Sequence, residues 1–216
     1  MSAIFRCLVI CVAALTISLV SVANADIVFN NFGAGDAFGN SGLLLQGPAV
    51  GTIGDVNQAA AFTVGPTGAM LTSIQLGIST GGPGHGTGPI DVLLAADAAG
   101  LPGATLRSSL VNVNMTGKQV ISAPFDGSLL LAANTTYWVV ADAEGTFDGG
   151  WYLNTTGNTG ATAGQTEGFP WNLHAADQRF AFRVQGRLVP EPASLVLSAS
   201  GVIAVLACGR RRRFSW

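Results

Sequence analysis

The chain has 216 residues, only 10% of them charged, against about 25% in typical soluble proteins. A single lysine, Lys118, excludes a coiled coil or a long helical protein, and an apolar content of 49% excludes a wholly disordered chain. A pI of about 5.5 with scattered arginines leaves no basic stripe for a nucleic acid.

Residues 1–25 read as a secretory signal peptide. Arg6 and the amino terminus supply positive charge, Cys7 to Val20 form an apolar run of 14 residues, and Ala23-Asn24-Ala25 fits the A-x-A cleavage pattern. The run is shorter than the ~20 residues that span a bilayer, which favours cleavage over a retained anchor. All three cysteines, Cys7, Cys11 and Cys208, lie near the chain ends, so the middle has neither disulfide nor thiol chemistry.

Residues 26–187 are predicted to form an all-β ectodomain, a β-sandwich of jelly-roll type. Asn30 to Gly54 is Gly-rich and reads as a long loop with a short strand near Leu43 to Leu45. After it the apolar period is two. Ala60, Phe62 and Val64 form one strand, Ile74, Leu76 and Ile78 a second, and Ile90, Val92 and Leu94 a third. Val111, Val113 and Met115 alternate with Asn112 and Asn114. Thr136 to Ala141 is apolar on both faces and reads as a central strand. Phe180, Phe182 and Val184 point inward in the last strand, which leaves Arg179, Ala181, Arg183 and Gln185 in water. Turns are predicted at Gly81-Gly82-Pro83-Gly84, Gly100-Leu101-Pro102-Gly103 and Gly157-Asn158-Thr159-Gly160, where glycine supplies positive φ. Many short strands with frequent turns, and no amphipathic helix, point to a sandwich. From residue 26 to 189, eleven acids stand against five bases, a formal charge of −6 that disfavours anionic polymers.

Residues 188–216 form a tail in three parts. Pro190-Glu191-Pro192 comes first, an apolar run from Ala193 to Cys208 follows and is expected to be a hydrophobic helix, and Arg210, Arg211, Arg212 and Arg213 close it. An apolar run followed by arginines is a stop-transfer pattern, because the cations stay on the cytoplasmic side. The tail resembles the PEP-CTERM sorting signal of Gram-negative bacteria. That resemblance implies recognition and processing by exosortase, a transpeptidase-like membrane protease, after transient anchoring in the inner membrane. It also implies a cell surface or extracellular matrix rich in exopolysaccharide.

A second resemblance covers most of Asp26 to Gly186. Asn30-Asn31-Phe32-Gly33 follows the first strand, Gln58-Ala59-Ala60-Ala61-Phe62 precedes the Leu71-Thr72-Ser73-Ile74 strand, and Gly100-Leu101-Pro102-Gly103 makes a hairpin. Leu131 to Trp138 enters the central strand, Gly150 to Gly157 precedes Trp171, and Phe180-Ala181-Phe182-Arg183-Val184 closes the domain. This order is similar to the bacterial choice-of-anchor R domain, a secreted β-rich module, and implies no catalytic residues.

Candidate chemistry is sparse. His85 and His174 are far apart in sequence and give no zinc spacing. Asp142, Glu144 and Asp148 read as a solvated loop. Their alternatives are a glycosidase carboxylate pair or oxygen ligands for calcium, although D-x-E-x-x-x-D is not an EF-hand spacing. Trp151, Tyr152 and Trp171 flank a Gly/Asn/Thr-rich stretch from Gly149 to Asn172. Exposed, they would stack on sugar rings; otherwise Trp138 and Trp151 are core and Trp171 covers an edge. Asn114, Asn134 and Asn154 head Asn-x-Ser/Thr sequons. The sequence thus predicts an exported, non-enzymatic surface or matrix protein without cofactor or metal. Its expected partners are exosortase, the inner membrane through the tail, and exopolysaccharide. A carbohydrate-binding module using Trp151, Tyr152 and Trp171 is the alternative.

Overall fold

The computed structural model describes residues 25–50, 53–80, 86–114, 117–174 and 177–189. Residues 1–24 of the expected signal peptide, the expected Gly81 to Gly84 turn, His85, Met115 and the tail from Pro190, with its expected helix, lie outside the described residues.

The described chain is nearly all β, with no α-helix. Its strands are β1 (Asp26–Asn30), β2 (Phe38–Gln46), β3 (Val56–Thr63), β4 (Ala69–Thr80), β5 (Gly88–Ala98), β6 (Leu101–Val113) and β7 (Gly117–Pro124). They continue with β8 (Leu130–Leu131), β9 (Thr136–Ala143), β10 (Asp148–Asn154), β11 (Thr162–Thr166), β12 (Asn172–His174) and β13 (Phe182–Leu188). All hydrogen-bond into one curled sheet whose main path runs β1-β13-β4-β10-β2-β3-β9-β5-β6. The path branches at β4, which also carries β7 and β8, and at β3, which also carries β11 and through it β12.

The curl turns the inner faces of distant strands toward each other. Ile74, Leu76 and Ile78 of β4 meet Phe62 of β3, Val92 and Leu94 of β5, Val139 of β9 and Phe182 and Val184 of β13 in one buried cluster. These are the alternate positions that the period of two selects. Aromatic rings form its centre: Trp151 stacks on Phe180 at 4.7 Å between centroids, and Phe182 meets Trp151 edge-on at 5.9 Å. A second, smaller cluster lies on the opposite face of β3 and β9. There Ala59, Ala61 and Ala163 leave room for Trp138, with Trp171 and Leu101 packed over it. Strand β9 is therefore buried on both faces, as its continuous apolar run predicts.

Three sequence expectations are corrected. The supposed loop from Asn30 to Gly54 contains β2, nine residues long and paired with β10 from Gln46↔Asp148 to Phe38↔Asn154. Its glycines mark close approach rather than looseness: a Cβ on Gly39 would stand 2.9 Å from the Leu153 carbonyl oxygen. The hairpin between β5 and β6 turns at Ala99 and Gly100, both with positive φ, while Leu101 to Gly103 belong to β6. The third concerns the face of Arg183, which is half-buried rather than solvated. Its guanidinium pairs with Asp36, donates to Gln75 Oε1 at 3.0 Å and to Asn30 Oδ1 at 3.2 Å, and lies over the Phe32 ring. Ala181, on the same expected face, is fully buried: its methyl packs against Gly77, and its carbonyl accepts from Gly77 N and from Trp151 Nε1.

Candidate binding site

The structure separates the three aromatic residues that the sequence groups together. Trp151 is 0% exposed, and its indole N–H donates to the Ala181 carbonyl at 2.9 Å. It presents no face to a ligand, which corrects the expectation of an exposed ring. Tyr152 is half-exposed beside Phe38, where Lys118 Nζ lies 4.5 Å from the Phe38 centroid. Neighbours along a strand point to opposite faces, so Trp151 and Tyr152 of β10 cannot share a platform. Trp171 is half-buried over the Trp138 cluster. The Asn154 sequon is also spent: its side chain is buried, donates to the Asn158 and Arg179 carbonyls, and accepts from the Thr156 and Asn158 amides.

The acids are not a solvated loop. Asp142 lies in β9, directly opposite Asp91 of β5, and Asn57 and Asp55 approach it from the start of β3. Burial, then the charges of Asp55, Glu144 and Asp91, push the Asp142 carboxyl up to about 6. Asp148 is buried in β10. Among the described residues no three carboxylates, histidines or thiols are gathered closely enough to hold a metal ion. His174 lies 4.0 Å from Asp177, on the surface.

What the structure does assemble is a shallow pocket of about 330 Å³ on the face formed by β3, by β11 paired with it, and by β12 paired with β11. Its floor is Gln58, only 5% exposed. Gln58 Nε2 donates to the Leu44 carbonyl at 2.9 Å, while Oε1 is buried without a hydrogen-bond partner. Gly164 opposite leaves that oxygen space, since a Cβ there would stand 3.1 Å from it. Asn172 and His174 of β12 and Thr166 of β11 line the walls. Phe169 stands at the rim, 67% exposed, in a turn held by Gln165 Nε2 donating to the Phe169 carbonyl. Amides, a hydroxyl, an imidazole and an exposed ring can exchange hydrogen bonds with a neutral hydroxylated molecule and stack against its apolar face. The sequence reading missed Gln58 and Phe169. The available signal was a glutamine at an inward position of β3, between Val56 and Ala60, where alternation calls for an apolar side chain.

The pocket lies on a domain whose last strand runs into the tail without an intervening linker: Val189 donates to the Gly68 carbonyl, and Pro190 follows. Comparison with curated proteins finds no match. A family model described as the PEP-CTERM protein-sorting motif matches residues 188–213, and the motif marks the chain for export and sorting to the bacterial cell surface by an exosortase-type system.

Proposed function

We propose that the chain is a non-enzymatic protein of the bacterial surface or exopolysaccharide matrix, held in the inner membrane by its tail until exosortase cuts near Pro190-Glu191-Pro192. The match of the sorting motif to residues 188–213 carries this reading. Changing Arg210 to Arg213 to serine removes the charge that holds the tail in place. The variant should accumulate uncut or mislocalised in a host that carries exosortase. Normal processing of that variant, read by mass spectrometry of the secreted chain, overturns the reading.

A second reading follows from the unpartnered Gln58 Oε1: the domain binds a neutral saccharide in the pocket below Phe169, in place of the tryptophan platform. A shallow uncharged site of this kind is weak, with a Kd near millimolar, about −4 kcal/mol, and becomes useful when many copies act on one polymer. Phe169→Ala should leave the melting transition unchanged and abolish retardation in gels containing dextran or a β-glucan. Unchanged retardation, or none in the unmodified protein with any neutral polysaccharide, excludes the pocket.

A further inference from the structure

The two points where the chain leaves the fold lie together. Asp26 pairs with Gly186, so β1 begins beside the end of β13. Leu188 pairs with Ala69 at the start of β4, and Ala69 pairs on its other side with Leu131 of β8. Val189 donates to the Gly68 carbonyl, and Gly68 also touches Leu130: a Cβ there would stand 3.6 Å from Leu130 Cδ1. Four large apolar side chains are left in solvent around this exit, with Ile27 58%, Leu130 52%, Leu188 47% and Val189 37% exposed.

The chain beyond the exit is short. Only Pro190, Glu191 and Pro192 separate Val189 from the apolar run that begins at Ala193. Four residue steps reach at most about 14 Å even when fully extended. The polar layer of a bilayer is roughly 5–8 Å thick on each side. A membrane-inserted tail therefore holds the exit end of the domain within a few ångströms of the headgroups.

The charges are arranged to match. Strand β3 ends and β9 begins at the exit side, where Val64 bonds to Thr135 and Asn134 to Gly65. The opposite ends of the same strands carry Asp55, Asp142, Glu144 and, across the sheet, Asp91, with Glu167 bonded through its backbone to Asp55. At the exit end Arg107 and Arg187 lie beside Asp126, with Asp26 the other acid, so the formal charge there is near zero, and an anionic lipid surface repels the far end more strongly.

We propose that the exit end of the fold, through Ile27, Leu130, Leu188 and Val189, seats on the lipid bilayer while the tail is uncut, and that cleavage releases it. The inference rests on the reading of the tail as membrane-inserted. The apolar seat is too small to hold the domain alone, so contact ends with the tether.

The test uses the chain from Asp26 to Trp216, as signal-peptide cleavage would leave it, with its tail intact and Cys208 changed to serine, reconstituted in vesicles of phosphatidylethanolamine and phosphatidylglycerol. Single cysteines carrying an environment-sensitive fluorophore replace Leu130 at the exit, Ile53 at the acidic end and Leu206 in the tail. A label in place of Ile27 gives the same reading if position 130 does not tolerate one. A lipid-borne quencher should quench the probes at 130 and 206 several-fold more than the probe at 53, and the 130 probe should shift to the blue. Quenching at 206 without quenching at the exit overturns the seat and leaves the tail reading intact. No quenching at 206 overturns the tail reading and the seat with it. Equal quenching at 130 and 53 also overturns the seat, because it means the domain has no fixed face toward the lipid.

Discussion

Trp151→Ala is expected to destabilise the fold by about 3–5 kcal/mol, the usual cost of removing a large buried aromatic. The ring is 0% exposed, stacks on Phe180 and touches Phe182 edge-on, so truncation leaves a cavity at the centre of the main cluster. It also strips the Ala181 carbonyl of its indole donor. Trp151→Phe separates the two effects: the ring is largely kept, and the loss should fall to about 1–2 kcal/mol for one buried hydrogen bond and a small void. Urea titrations of both variants measure the ladder. If Trp151→Ala keeps the midpoint while saccharide retardation disappears, the ring is a ligand platform after all, and the core drawn around it is wrong.

That the sequence leaves Trp151 open between the core and the edge of a polar loop has a physical cause. Its neighbours are Gly149, Gly150, Asn154, Thr155 and Thr156, a composition that turns also use. Here the glycines serve close packing of strands. A Cβ on Gly149 would lie 2.6 Å from the Ser79 carbonyl oxygen, and one on Gly150 would lie 3.0 Å from that of Leu43, because β10 is pressed between β4 and β2. The same ambiguity hides β2. Only pairing between residues far apart in sequence distinguishes a glycine that turns the chain from one that lets two strands meet, and no local pattern contains that information. Strands that carry their own signal are legible. The alternation of Ile74, Leu76 and Ile78 and the continuous run from Tyr137 to Ala141 identify β4 and β9. The pocket is less legible because it is made by the pairing of β11 with β3 and of β12 with β11, residues far apart in sequence, and Gln58 acquires meaning only from Gly164 facing it. Arg183 shows the reverse case. Its period is read correctly, but the 3-10 turn at Ala34–Asp36 brings a carboxylate over it and takes it out of water.

Acidification from pH 7 to about pH 4.5 is expected to strengthen the fold, contrary to the usual behaviour of carboxylate-rich proteins. Asp142 sits in a row of like charges, with Asp91 directly across the strand pair and Asp55 and Glu144 close by, and part of its surface is buried. These causes raise its folded pKa from 3.8 to about 6. A carboxyl raised in the folded state binds its proton more tightly there than in the unfolded chain. Its contribution to stability is therefore complete below pH 3.8 and is lost as pH rises through about 6. The full shift corresponds to roughly 3 kcal/mol, which partial solvation reduces to about 1–2 kcal/mol. Asp55, raised mainly by burial, adds in the same direction. Asp126, lowered by its hydrogen bonds to Ser128, acts only when pH falls below the ordinary carboxylate range and leaves this window undisturbed. Asp142→Asn keeps the shape and removes the charge. It should stabilise the protein by about 1–2 kcal/mol at pH 7, change nothing near pH 4, and flatten the slope between them. Urea midpoints at several pH values measure all three. A midpoint that falls steadily from pH 7 to pH 4.5 in the unmodified protein contradicts the acidic row, and a slope that survives Asp142→Asn reassigns it to Asp55.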